Sequence, residues 1–120
     1  MSKYHAKKTT IDGITFDSKH EAEIYIQLKQ KEKLGLIHDL QLQVEFALIP
    51  SQRAPSTFTK SGKEKLGKIK ERKCSYYADF VFKAADDNWH VLDAKGVRTE
   101  TYKIKKKLML WVHGIEIEEV

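Results

Sequence analysis

The chain has 120 residues, 41% hydrophobic and 32% charged, with a net charge of +5. That length suits a single domain, 1–120, with a real core. No run approaches the roughly 20 apolar residues of a membrane span, and no signal-peptide pattern opens the chain. One cysteine, Cys74, leaves no intramolecular disulfide and no thiolate cluster for zinc. The expected setting is therefore reducing and cytoplasmic.

Residues 1–17 read as a basic arm, charged by Lys3, Lys7 and Lys8, followed by a hairpin. In Thr10-Ile11-Asp12-Gly13-Ile14-Thr15-Phe16 an Asp-Gly pair sits between β-branched residues, the signature of a two-residue turn. Ser18 then predicts a helix N-cap with Glu21 at the capping-box position. The helix should run to about Lys33 and stop near Leu34-Gly35. At 100° per residue Ala22, Ile24, Tyr25, Ile26 and Leu28 form one broad face, with Glu21 inside it and Glu23 opposite. A carboxylate on the buried side is costly unless paired or bound. Two roles stand for Glu21, the cap and a metal site, and they are not fully exclusive.

Leu40 to Ile49 alternates as a strand, with Leu42, Val44, Phe46 and Leu48 on one face and prolines 50 and 55 bracketing its exit. Between Ser51 and Ser75 stand Arg53, Lys60, Lys63, Lys65, Lys68, Lys70, Arg72 and Lys73 against Glu64 and Glu71, an excess larger than the whole chain's. Residues 51–73 read as a long basic loop, functional or disordered, ordering on nucleic acid. Within it Lys63 to Lys73 is compatible with a short helix. A basic segment of this kind suits a polyanionic partner, and a solvated charge-rich loop is the plainer reading.

Ser75 to Lys83 and Trp89 to Lys95 read as a strand pair around the polar turn Asp86-Asp87-Asn88. A helix should follow from about Thr99 to Val112, with Leu108, Met109 and Trp111 on its apolar side, ending at His113-Gly114. Ile115 to Glu118 alternates as a last short strand. The expected class is α/β (α+β), a mixed sheet flanked by helices behind an N-terminal hairpin. Tyr102 and Trp111 read as core residues rather than base-stacking ones.

Strand alternation places Tyr77, Asp79 and Val81 on one face, and Val91, Asp93 and Lys95 on one face of the next strand. Asp79 and Asp93 then become neighbours, a natural seat for a hard cation such as Mg2+. Lys95 would orient or help deprotonate an attacking water and offset phosphate charge. By itself an Asp-x-Lys triplet is weak; the second-strand aspartate, the following Gly96 and Glu21 give it context.

At these residues the chain resembles the PD-(D/E)xK nuclease superfamily. Within it, Lys3-Tyr4-His5-Ala6-Lys7-Lys8-Thr9, Asp12-Gly13-Ile14, Phe16-Asp17-Ser18-Lys19-His20-Glu21-Ala22, Tyr77-Ala78-Asp79-Phe80-Val81-Phe82, Asp93-Ala94-Lys95-Gly96 and Thr101-Tyr102-Lys103-Ile104-Lys105-Lys106-Lys107-Leu108 are similar to a family of small phage-type Holliday-junction-resolvase-like proteins. The resemblance covers nearly all of the chain outside residues 51–73. It implies a restriction-endonuclease-like αβββαβ core and a Mg2+-dependent DNA phosphodiesterase, with Mn2+ able to substitute. Asp79 and Asp93 would be metal carboxylates, the Ala94 carbonyl a further ligand, and Glu21 would complete the shell directly or through water. Lys95 would be the catalytic lysine. Ala78 replaces the superfamily's proline, and Asp93 is the shorter of the two acids allowed.

The resemblance further implies a phage-encoded protein working in a bacterial host cell on branched DNA, with a homodimer making two symmetry-related incisions. Candidate phosphate contacts are Lys7, Lys8, Lys63, Lys65, Lys68, Lys70, Arg72, Arg98, Lys103, Lys105 and Lys107, with His5 and Lys106 as further candidates. For the lysines of the second helix a solvated face is the plainer reading. A nicking or restriction-like cutter of the same fold and a non-catalytic basic DNA-binding protein are the alternatives.

Overall fold

The computed structural model describes residues 7–94 and 97–120. β1 (Thr9–Ile11) and β2 (Ile14–Phe16) pair antiparallel with Ile11 opposite Ile14. Between them Asp12 and Gly13 both take positive φ, 53° and 76°, as a type I′ turn requires. α1 (Lys19–Lys33) begins where Ser18 Oγ accepts from the Glu21 backbone N–H at 3.1 Å. The expected turn thus forms, and so does the expected cap. Glu21, Ala22, Tyr25 and Leu28 are buried and Glu23 is exposed, in keeping with the helical phase, whereas Ile26 falls past the edge of that face and is exposed.

β3 (Ile37–Ile49) leads into four short strands, β4 (Gln52–Arg53), β5 (Thr57–Phe58), β6 (Glu64–Lys65) and β7 (Ile69–Glu71). β8 (Cys74–Ala84), β9 (Trp89–Asp93), α2 (Glu100–Leu108) and β10 (Glu118–Glu119) complete the order. The central sheet runs β10-β9-β8-β3, with β10 parallel to β9 and the other pairs antiparallel. It is a mixed sheet with a helix on each face, an α+β fold. On one face Phe80, Phe82 and Leu92 pack with Phe16, Ala22, Tyr25 and Leu28 of the hairpin and α1. On the other, Val81 and Val91 pack with Tyr102, Met109 and Ile117.

Alternation along the two long strands reverses part-way. Leu40 and Leu42 pack on the α1 side, but Val44, Phe46 and Leu48 pack on the α2 side. On β8 the change falls between Ala78, on the α2 side, and Phe80, on the α1 side. Leu42 therefore does not share a face with Val44, nor Tyr77 with Val81, as simple alternation predicts. The physical reason lies at Gln43, whose φ of 50° inverts the local pleat opposite Asp79. Asp39, with φ 57°, accompanies a register shift nearer the start of β3.

Residues 51–73 are the largest departure from expectation. β4 pairs with β7 and β5 with β6, both antiparallel. Ala54 N donates to Lys68 O at 2.8 Å, and Thr59 N to Lys63 O at 2.8 Å around the tip. The segment is a two-tier β-ribbon that prolongs β3 and β8, and Lys63 to Lys73 is not helical. Its backbone groups find partners across the ribbon because the strands that feed it are already paired. The molecule measures 60 × 40 × 30 Å with a radius of gyration of 18.8 Å, against about 14 Å for a compact chain of this length.

α2 starts at the cap Thr99, whose Oγ1 accepts from Tyr102 N at 3.1 Å. After Leu108 the helix widens into a π turn, Met109–His113, closed by Gly114 at φ 67°. The wider turn shifts the side-chain phase. Met109 is fully buried, while Trp111, expected in the core, is 87% exposed. β10 is shorter and later than expected, since only residues 118 and 119 reach a partner strand. Among the described residues no helix is long and apolar enough to cross a membrane.

Candidate active site

The β8–β9 register ends with Phe80 opposite Leu92, the residues next to Asp79 and Asp93. Asp79 Oδ2 accepts the Ala94 N–H at 2.8 Å, and Oδ1 accepts Gln43 Nε2 at 3.1 Å. One carboxylate thus ties β8 to both its neighbours at the point where the alternation reverses. The left-handed backbone of Gln43 costs about 1–2 kcal/mol for a residue with a Cβ. Strain of this kind gathers at functional sites, and here it sits on the residue that holds Asp79.

Asp93 is 1% exposed, and its Oδ2 accepts the Tyr76 hydroxyl at 2.5 Å. Burial, followed by the bond to Asp93, pushes the Tyr76 hydroxyl far above the usual phenol range. Tyr76 therefore stays protonated and donating. Its ring lies 6.4 Å from that of Tyr102, whose hydroxyl donates to Glu119 Oε2 at 2.8 Å. Glu119 also receives Lys106 at 3.2 Å and pairs with Arg98. Burial works to raise its carboxyl, but the Tyr102 and Lys106 bonds hold it below the ordinary value. Glu119 pairs with Asp93 in the parallel ladder, and Val120 N donates to Asp93 O at 3.0 Å. The second helix is thereby fastened to the strand end that carries Asp93.

Glu21 is 8% exposed. It lines a cavity of about 190 Å3 with Ile14, Thr15, Phe16, Asp17, Leu42 and Gln43. Gln43 is the link, facing this cavity and donating to Asp79. Asp93 follows Val91 onto the α2 side, whereas α1 packs on the opposite face. Among the described residues no three His, Cys, Asp or Glu side chains lie together as a metal-holding group. Asp79 and Asp93-Ala94 are brought to one place, and Glu21 borders it through Gln43. Lys95, Gly96, Lys3 and His5 lie outside the described residues.

Of the candidate phosphate contacts, Lys7 and Lys8 are exposed just before β1, and Lys63, Lys65, Lys68, Lys70 and Arg72 are exposed along the ribbon. On α2 Lys107 is exposed, Lys105 half-buried, and Lys103 paired with Glu100 at 3.1 Å. Arg98 already serves Glu119. Sequence reading missed Gln43, Tyr76 and Glu119. Tyr76 showed only as a strand aromatic, and nothing local marks Gln43 or Glu119, because their roles depend on partners 36, 17 and 17 positions away.

The molecule is an α+β protein whose mixed sheet, with a helix on each face, brings a carboxylate in the middle of β8 beside the end of β9 that carries a second one. Residues 1–114 match the family described as "Protein of unknown function (DUF1064)", and the chain belongs to that family. No curated protein and no solved structure matches it.

Proposed function

We propose that the protein is a metal-dependent DNA endonuclease of the restriction-endonuclease-like kind, hydrolysing the backbone of branched DNA such as a four-way junction. The observation that carries this reading is the tie between Asp79 and Asp93-Ala94, a carboxylate on one central strand bonded to the backbone N–H that follows the carboxylate of the next. The order α1, β3, β8, β9, α2, β10 supports the resemblance to PD-(D/E)xK nucleases.

The donors this reading calls on, the carboxylates of Asp79 and Asp93 and the Ala94 carbonyl, are hard oxygens, the kind that suit Mg2+ or Mn2+. Magnesium keeps several of its own waters and needs only one or two carboxylates from the protein. Asp79 and Asp93 would hold it beside the Ala94 carbonyl. The chemistry such an ion would supply there is a lowered pKa for a bound water and an offset to phosphate charge. The chain's own residues do the remaining work. The Tyr76 hydroxyl holds the Asp93 carboxylate in one orientation, and Gln43 and the Ala94 N–H hold that of Asp79. Lys95 takes the proton of the attacking water or steadies the charge on the phosphate. Glu21, in the cavity beside Gln43, orders water on the approach. Lys7, Lys8 and the basic ribbon receive the DNA backbone, and two copies related by two-fold symmetry make the paired incisions.

The test is a labelled synthetic four-way junction incubated with and without Mg2+, next to linear, gapped and flap duplexes. Cutting is expected only with the metal. Asp93→Ala and Lys95→Ala should each cut at least about 100-fold more slowly, the upper range for losing even a supporting partner of a metal ligand, while still binding DNA. An Asp93→Ala protein that cuts as fast as wild type overturns the assignment.

A further inference from the structure

The ribbon has two unlike faces. Thr57 pairs with Lys65 and Phe58 with Glu64, and directly opposed residues in a ladder share a face. Alternation then puts Lys63 beside Lys65 on one face and Leu66 beside Phe58 and Glu64 on the other. Phe58 is 72% exposed and Leu66 61%. Two large apolar side chains thus stand in water at the end of an arm, belonging to neither core cluster.

The arm's geometry is well defined. A Cβ on Gly67 would meet the Ala54 carbonyl oxygen at 2.1 Å, so the two strands pass too close there for any side chain. Arg53 Nη1 fastens the same crossing by donating to Gly67 O at 2.9 Å. At its base the ribbon runs into β3 and β8, the strands that carry Gln43 and Asp79.

A two-stranded ribbon is of a size to enter a DNA major groove about 12 Å wide. Apolar side chains of DNA-binding proteins wedge between base steps at the cost of unstacking them, a cost that is least where pairing or stacking is already interrupted. In a linear duplex every internal base pair is stacked on both sides, whereas a branch point offers open base-pair faces. We propose that residues 52–71 form a DNA-probing arm: Lys63, Lys65, Lys68 and Lys70 take duplex phosphates, and Phe58 with Leu66 packs on a base pair exposed at a branch. This rests on the DNA reading of the site and adds the element that selects the branched form. The ribbon delivers what it holds to the strands of that same site, which favours DNA over an anionic membrane as the partner.

The experiment measures anisotropy of a fluorescent four-way DNA junction and of a linear duplex of matched sequence, with the full chain and a chelator present so that no cutting occurs. Wild type should prefer the junction. Phe58→Ala/Leu66→Ala should lose about 10-fold on the junction, within the range for a base–aromatic stack, and nothing on linear duplex, with an unchanged salt slope. Replacing Lys63, Lys65, Lys68 and Lys70 by Gln should flatten the log–log salt slope on both DNAs by about 3–4, near 0.9 per lost phosphate contact. Circular dichroism checks that each variant is folded. Equal preference for the junction in the Phe58→Ala/Leu66→Ala protein overturns the proposal, and so does binding to phosphatidylserine vesicles but to neither DNA. A wild type that prefers junctions here yet cuts nothing with Mg2+ removes the nuclease reading and leaves this one standing. A nuclease whose junction preference ignores Phe58 and Leu66 does the reverse.

Discussion

Tyr76→Phe isolates the interaction on which the candidate site depends most. The substitution keeps the ring, which is 3% exposed, and removes only the hydroxyl that donates to Asp93 Oδ2 at 2.5 Å. Asp93 is itself 1% exposed, so water cannot easily replace the lost donor. A hydrogen bond to a charged group contributes about 1.5–3 kcal/mol. With roughly 4 °C per kcal/mol for a chain of this size, the melting temperature should fall by about 6–12 °C. Urea unfolding at pH 7 with a chelator present is the assay, and the slope should stay constant while the midpoint drops. The Asp93→Ala single variant, which removes the acceptor, and the double variant close a cycle. Its coupling energy should exceed about 1 kcal/mol, because the two groups act on one contact. A coupling within about 0.5 kcal/mol of zero would refute the claim that this hydroxyl holds the Asp93 carboxylate. In cleavage assays Tyr76→Phe should also need more Mg2+, by about 10-fold or more, as expected when a partner of a metal ligand is removed.

Gly67→Ala places a Cβ 2.1 Å from the Ala54 carbonyl oxygen, a backbone atom. The ribbon must open there, so the Ala54 amide, which donates to Lys68 O at 2.8 Å, should exchange faster, while β8 amides paired with β3 keep their protection. Equal exchange at Ala54 in both proteins would contradict the close crossing. Glu119 supplies the pH dependence. Its folded carboxyl titrates below the ordinary 4.5, so its contribution is fully present above about pH 4.5 and is lost as pH falls through the lower folded value. Glu119→Gln should therefore lower the urea midpoint at pH 7, and the gap from wild type should close in acid. A gap that does not change with pH would count against the Tyr102 and Lys106 bonds as its cause.

Much of the fold was legible because its signals are short-range. Asp12-Gly13 specifies a turn through the φ > 0 it permits, and Ser18 and Thr99 begin their helices by accepting bonds from residues three positions on. Helical phase separated Glu21 from Glu23, and strand patterning paired β8 with β9 closely enough to bring Asp79 towards Asp93. The site's supporting residues were not legible. Gln43 looks like any polar residue in a strand until its left-handed backbone and its bond to Asp79 are seen together. Tyr76 looks like a core aromatic until its hydroxyl reaches a carboxylate on the neighbouring strand.

By itself, then, the sequence determined the identity and order of the main helices and strands, the hairpin turn and the Ser18 cap of the first helix, since each depends on neighbours within a few residues. Tertiary structure alone decided three things. It reversed the alternation at Gln43 and Asp79, so that one strand serves both faces of the sheet. It drew residues 51–73 into an ordered ribbon, because paired strands at its base bring its two halves into register. It also turned Trp111 outward, since a π turn after Leu108 moves every later side chain out of the phase that a regular helix would give. For the strand reversal and the ribbon the deciding term is pairing between segments far apart in the chain, and local residue preferences carry no record of it; for Trp111 it is the wider backbone turn itself.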